Sequence, residues 1–180
     1  RIRAGQPLPL RLTECDLTAI VLRVAEEART QHGDRFVVDC EQDHVRGIWS
    51  EDQLQRALWN LVMNAVKYGA VDQPITLRVE RGDGTAAVSV HNEGTPIPRE
   101  DQATIFDAYM RTPTARSSGS PGWGLGLTLV RGAAEAHGGH VSVRSDATGT
   151  TFTIELPLDA RPYQRDASDR ARAVGSSTVH

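Results

Sequence analysis

Residues 50–69, SEDQLQRALWNLVMNAVKYG, constrain this chain more than any other stretch. Ser50 followed three positions later by Gln53 forms a capping-box pattern, and Gly69 closes the run, so the spacing predicts one long helix. Leu54, Ala57, Leu58, Leu61, Val62 and Ala65 recur at helical intervals and form its buried face. On the rim of that face lie Asn60, Asn64 and, three residues on, Lys67, projecting from neighbouring positions. Asparagine is a middling helix former because its amide competes for backbone hydrogen bonds. Two at this spacing, beside the only lysine of the chain, invite a ligand. An amide oxygen suits Mg²⁺ and a lysine ammonium suits phosphate. Taken alone, the stretch fits an ordinary amphipathic helix with a polar flank equally well.

A chain of 180 residues suits one domain with a sizeable core. Its net charge of −3 comes from interspersed acids and bases, so the clustered basic face of a nucleic-acid binder is absent and no nucleic-acid partner is expected. Cys15 and Cys40 make neither a metal-spaced set nor a disulfide framework, and read as free thiols in a reducing compartment, hence a cytoplasmic setting. The apolar runs are too short to span a membrane, so no insertion of this stretch is expected, although a longer parent could carry an anchor. The sequence starts at Arg1 and reads as a piece of something longer.

In chain order, residues 1–9 read as a linker or the frayed end of a preceding helix, residues 10–158 as the folded domain, and 159–180 as a disordered tail. Asp16 or Thr18 can cap a helix through Gln31 that buries Ile20, Val21, Val24 and Ala28. Phe36 to Glu41 and Val45 to Trp49 are β-like, and the asparagine-bearing helix follows. Ile75 to Arg81 and Thr85 to Asn92 flank Gly82-Asp83-Gly84 as a hairpin. A short amphipathic piece spans Gln102 to Tyr109, and residues 110–123 offer almost nothing to a core and read as a mobile lid. Leu125 to His137 predicts a helix packing through Leu127, Leu129, Val130, Ala133 and Ala134, stopped by Gly138-Gly139. His140 to Ser145 and Thr150 to Leu156 form a last hairpin. Helices separated by hairpins point to an α+β two-layer sandwich rather than a doubly wound parallel sheet.

Two further signals carry chemistry. Gly122, Gly124 and Gly126 open a helix, where free backbone N–H groups favour an anion. They follow no strand, so a dinucleotide fingerprint is excluded, and the P-loop lysine is missing. Asn92-Glu93-Gly94-Thr95-Pro96-Ile97 leaves a strand through a glycine bend, which alone would read as a capped turn.

With these motifs in this order, the chain resembles the catalytic and ATP-binding domain of sensor histidine kinases, whose fold is shared with type II topoisomerase, Hsp90-type and MutL-type ATPases. The resemblance runs over roughly residues 10–157. NLVMNAVKY, residues 60–68, is similar to the N box, NEGTPI to the G1 box, IFDAYMR around Phe106 to the F box, residues 122–127 to the G2 box, and Gly149-Thr150-Thr151-Phe152 to the last glycine turn. It implies a Bergerat-type (GHKL) fold: a mixed, largely antiparallel sheet with helices on one face and a flexible ATP lid. It further implies ATP and Mg²⁺ as ligands, with Asn64 holding the metal, Asn60 assisting, and Lys67 and Tyr68 contacting nucleotide. Asn92, Gly94 and Ile97 would face adenine. Phe106, Arg111, Arg116, Gly122, Gly124, Leu125, Gly126, Leu127 and Thr150 would complete the pocket.

Related ATPases carry a water-activating glutamate at the position of Asn60, and an amide there has no useful basicity. The resemblance therefore implies a phosphotransferase half acting on a histidine of separate dimerisation helices, with a response regulator downstream. A degenerate regulatory module without turnover is the alternative, and a serine kinase of the anti-sigma type ranks lower for the same asparagine. None of His32, His44, His91, His137, His140 and His180 has the acceptor context; His91 reads as structural, and His137 and His140 as helix-end or surface residues. Asn92 stands where the family has aspartate. A neutral amide there is expected to weaken ATP binding and, by flipping, to blunt discrimination against GTP.

Overall fold

The computed structural model describes residues 10–107 and 124–164. Strand β1 (Thr13–Asp16) leads into α1 (Leu17–His32), followed by β2 (Phe36–Cys40), β3 (Arg46–Trp49) and α2 (Glu51–Tyr68). The hairpin β4 (Ile75–Arg81) and β5 (Thr85–Asn92) comes next, then the short α3 (Arg99–Gln102). Helix α4 (Gly124–Ala136) precedes the second hairpin, β6 (His140–Asp146) and β7 (Gly149–Pro157).

The main sheet runs β2-β4-β5-β7-β6, parallel between β2 and β4 and antiparallel elsewhere. Helices cover one face of this mixed sheet, as the two-layer expectation requires. Strict alternation along β5 and β7 turns Ala86, Val88, Val90, Phe152, Ile154 and Leu156 inward, onto Leu58, Leu61 and Val62 of α2 and Leu127, Val130 and Ala134 of α4. Asp16 caps α1 by accepting from the Thr18 amide at 3.0 Å, and Ser50 caps α2 by accepting from that of Gln53.

Tertiary structure departs from the sequence pattern in several places. The two β-like runs before α2 do not form a hairpin: β2 pairs in parallel with β4, while β3 turns away and pairs with β1, a strand too short and polar to be read from TECD alone. Trp49 anchors that small sheet, fully buried, with its Nε1–H donating to Pro157 O at 2.7 Å. The piece expected at Gln102 to Tyr109 instead begins at Arg99, after Pro98 and with Glu100 and Asp101 in the first turn, and gives way to turns before Asp107. Leu129, expected in the core, is 63% exposed, because Leu127, Val130 and Ala134 already fill the inward stripe.

Beyond β7 the chain stays folded through Gln164, contrary to a disordered tail from Asp159. Asp159 bridges Ile48, Ala160 is fully buried, residues 161–164 turn helically, and Gln164 donates to Ala136 O at 2.7 Å. The expected linker at 1–9, the expected lid at 110–123 and the remainder of the tail lie outside the described residues. Among the described residues no helix is long and apolar enough to cross a membrane.

Candidate functional site

Helix α2 is the spine of the site, and two other elements close on it. Its C-terminal end meets the bend after β5. Gly69 stops the helix with φ −73°, not in the left-handed conformation, and it is needed for space: a Cβ there would strike Ala65 O and lie 3.1 Å from Asn92 Cβ and Nδ2. Gly94, at φ +146°, meets the helix from the other side, where a Cβ would sit 3.1 Å from Ala70 N and 3.3 Å from Tyr68 O. Ala70 N–H donates to Glu93 O at 2.7 Å and locks the approach. Asn92 is thereby buried, 7% exposed, against the end of the helix that carries Lys67 and Tyr68.

Its amide has a defined direction. Asn92 Nδ2 donates to Glu93 O at 3.1 Å, which leaves Oδ1 as the atom free to accept from a ligand. A network fixes the rest of the bend. Ile97 N–H donates to Ser145 Oγ at 2.8 Å, Ser145 Oγ lies 2.6 Å from Thr150 Oγ1, and Gln102 Nε2 donates to Ile97 O at 2.8 Å. Ser145 and Gln102 were not recognised from sequence; hydroxyls and amides scattered over three elements leave no local pattern. Thr150 is buried and its hydroxyl is engaged with Ser145, and Ile97 is 7% exposed.

The middle of α2 meets the start of α4. A Cβ on Gly126 would rest 3.9 Å from Asn60 Cγ and Oδ1, an ordinary contact, so the protein itself does not demand glycine there. One turn along, Asn64 Nδ2 is buried without a hydrogen-bond partner. A buried unpaired amide costs about 1–3 kcal/mol, and such groups persist in native folds for a reason such as an absent ligand or ion. From Asn60 to Tyr68 the helix spans about 12 Å, which separates the two contact zones. Lys67 is exposed, its Nζ 5.4 Å from the Tyr68 ring centroid.

The remaining expected residues divide. Phe106 packs edge-on against Phe152, centroids 5.9 Å apart, and its carbonyl accepts from Thr128 Oγ1, so it ties the turns after α3 to β7 and α4. Leu127, expected at the ligand, has its side chain 1% exposed in the core. Gly124 and Leu125 form the helical start of α4. Arg111, Arg116 and Gly122 lie outside the described residues.

Neither thiol is poised for chemistry: burial pushes Cys15 and Cys40 up, and both are free and half-buried. His91, on β5, has Nδ1 2.7 Å from Thr151 Oγ1, a cross-strand contact. His137, expected as a helix-end or surface residue, does sit at the helix end with Nδ1 2.7 Å from Ala133 O, but it is fully buried between α4 and the start of α2.

A family model described as "Histidine kinase-, DNA gyrase B-, and HSP90-like ATPase" matches residues 49–160, from the end of β3 to the buried Ala160. The chain belongs to this family. Within it, it is the ATP-binding catalytic domain of a bacterial sensor histidine kinase. It is 31% identical to the sensor-like histidine kinase SenX3 of Mycobacterium bovis, over 92% of this chain and 41% of that protein. It is 41% identical to the sensor histidine kinase CusS of Escherichia coli K12, over 58% of this chain and 22% of that protein. The chain thus spans well under half the length of these relatives. Among solved structures it is similar to the catalytic domain of histidine kinase ThkA (TM-score 0.73, 28% identity, 84% of this chain and 99% of that one). The mycobacterial sensor histidine kinase MprB is similar too, with TM-score 0.70 and 27% identity, covering 82% of this chain and 97% of that one.

Proposed function

We propose that this chain binds ATP with Mg²⁺ along α2 and, within its full-length parent, transfers the γ-phosphate to a histidine on separate dimerisation helices, for onward passage to a response regulator. The observation that carries this reading is the meeting of Asn60 with Gly126 beside the buried, unpartnered amide of Asn64. Those residues fit the ligand set: the unpartnered Asn64 Nδ2 can donate to a phosphate oxygen, the amide oxygens of Asn60 and Asn64 suit a hard cation, and the ammonium of Lys67 lies three residues beyond. Mg²⁺ bound there would neutralise phosphate charge.

Each residue then has a distinct task. Asn64, with Asn60, orients the metal-binding oxygens, and Lys67 offers its charge to the phosphates. The backbone N–H groups of Gly124 and Gly126, in the first turn of α4, would be turned to the phosphates. Asn92 Oδ1 accepts from the exocyclic amine of adenine. Because Nδ2 is already spent on Glu93 O, a flip toward guanine would bring the amide oxygen against that carbonyl. Preference for ATP over GTP is therefore retained, which revises the expectation of blunted discrimination. Asn60 is too weak a base to activate water, so phosphate is kept for the acceptor.

Calorimetric titration of a non-hydrolysable ATP analogue into the fragment, with and without Mg²⁺, tests this reading. Mg²⁺-dependent binding is expected, with the dependence lost in Asn64→Ala and the fold retained. The fragment should neither incorporate terminal phosphate nor release it appreciably. Absence of binding, or rapid phosphate release, would reject the proposal.

A further inference from the structure

We propose that His137 is a positioning residue for the nucleotide site: it ties the end of α4 to the start of α2 and so holds Gly126 in register with Asn60. This rests on the nucleotide-binding reading above. The two helices run antiparallel, as three points along them require. Gly126 faces Asn60, Leu129 and Ala133 share a groove with Gln53, Arg56 and Ala57, and His137 reaches Ser50.

His137 Nδ1 lies 2.7 Å from Ala133 O, which can only accept, so Nδ1 carries the hydrogen. The other nitrogen, Nε2, then accepts from Ser50 N–H at 2.9 Å. This is the donor that the capping-box pattern would assign to the Gln53 side chain; Ser50 Oγ caps Gln53 N while the histidine takes the reciprocal half. The far end of α4 is a fixed reference. Gly138 N–H donates to Glu135 O, Gly139 N–H donates to Ala134 O, and Gly139 is pressed on the Glu155 backbone. From His137 to Gly126 is eleven residues, about 16 Å of rigid helix. The apolar contacts of Leu127, Val130 and Ala134 are non-directional. The bond from Ser50 is directional and adds a fixed point along the axis.

The ring must be neutral to do this, since an imidazolium would oppose its Nε2–H to the Ser50 N–H. Burial holds His137 below the usual histidine range, partly offset by the bond to Ala133 O. The charges on the elements packed around it are paired elsewhere: Glu51 with Arg23, Asp52 with Arg56, Glu135 with Arg131, His140 with Glu155 and Arg161 with Asp159. Tyr163 packs on Gly138.

The test compares wild type with His137→Gln, which restores an acceptor, and His137→Leu, which fills the space without one. Affinity for the Mg²⁺–ATP analogue is measured well below the melting temperature of each. His137→Leu should bind about fivefold or more weakly, and His137→Gln within about twofold of wild type. A second readout needs no nucleotide. In ¹H–¹⁵N spectra from about pH 7.5 down to the lowest pH at which the chain stays folded, the Gly126 amide should titrate together with that of Ser50 in wild type, below the usual histidine range, and not in His137→Gln. Folded His137→Leu binding as wild type does, or Ser50 titrating while Gly126 stands still, would overturn the proposal and leave a merely structural histidine. If wild type binds no nucleotide, the site reading fails on its own, and the Gly126 titration still decides the positioning.

Discussion

Gly94 and Gly126 sit at the two contact zones of α2, and the protein needs them for different reasons. At the bend, Gly94 has a backbone conformation that side chains rarely adopt, and its missing Cβ leaves room for Ala70 N and Tyr68 O. At the start of α4, Gly126 is helical and a methyl group would meet only ordinary contacts with Asn60. The first glycine serves the fold; the second is not required by the fold, and under the proposed function it answers to a ligand approaching from outside. A glycine in a motif therefore says nothing about function until its surroundings are known.

Substitution can break this contrast directly. Gly94→Ala should cost about 1–3 kcal/mol in urea unfolding, from strain at positive φ and contact with the α2 terminus, and nucleotide affinity should fall with it. Equal stability of wild type and variant would contradict the bend as described. Gly126→Ala should leave stability unchanged or raise it by up to about 1 kcal/mol, yet weaken the ATP analogue about tenfold, or about 1.4 kcal/mol. Loss of stability without loss of binding would reverse the two glycines' roles.

Asn92→Asp sharpens the bend side of the comparison. A carboxylate gives up the bond to Glu93 O, which lowers stability, but strengthens the bond to the adenine amine by about 1 kcal/mol, so the folded variant should bind ATP about fivefold more tightly by calorimetry, with GTP still weaker. No change in ATP affinity would remove Asn92 from base recognition.

The smallest effect concerns pH and the other side of the site. His137 titrates below its unfolded range because it is buried, so its contribution to stability is complete above about pH 6.5. As pH falls, the unfolded chain takes a proton that the folded chain refuses, and stability declines until the lowered folded value is passed. Urea midpoints should therefore drop between about pH 7.5 and 5.5 by more in wild type than in His137→Gln. Parallel drops would show that the imidazole is not the group responsible.

Much of this molecule could be read from local pattern. The α2 helix, with its serine cap, apolar stripe and rim of Asn60, Asn64 and Lys67, follows from spacing alone, because helical periodicity and capping act within a few residues. The β4–β5 hairpin around Gly82-Asp83-Gly84 is legible for the same reason. Other features depend on partners distant in sequence. That β2 joins β4 in parallel while β3 leaves for β1, that Leu129 faces out, and that Ala160 is buried are outcomes of packing, in which whole elements compete for the same core surface.

The site divides along the same line. Its residue types and their order lie in the sequence, since amides, a lysine and glycines at set spacings carry the chemistry wherever they fold. Only the tertiary structure decided which nitrogen of Asn92 is engaged, which glycine the protein itself requires, that Ser145 and Gln102 brace the bend, and that His137 rather than Gln53 completes the cap of α2. Hydrogen bonds and close backbone contacts of this kind join atoms far apart along the chain, and their partners exist only once the core has brought α2, α4 and the sheet together.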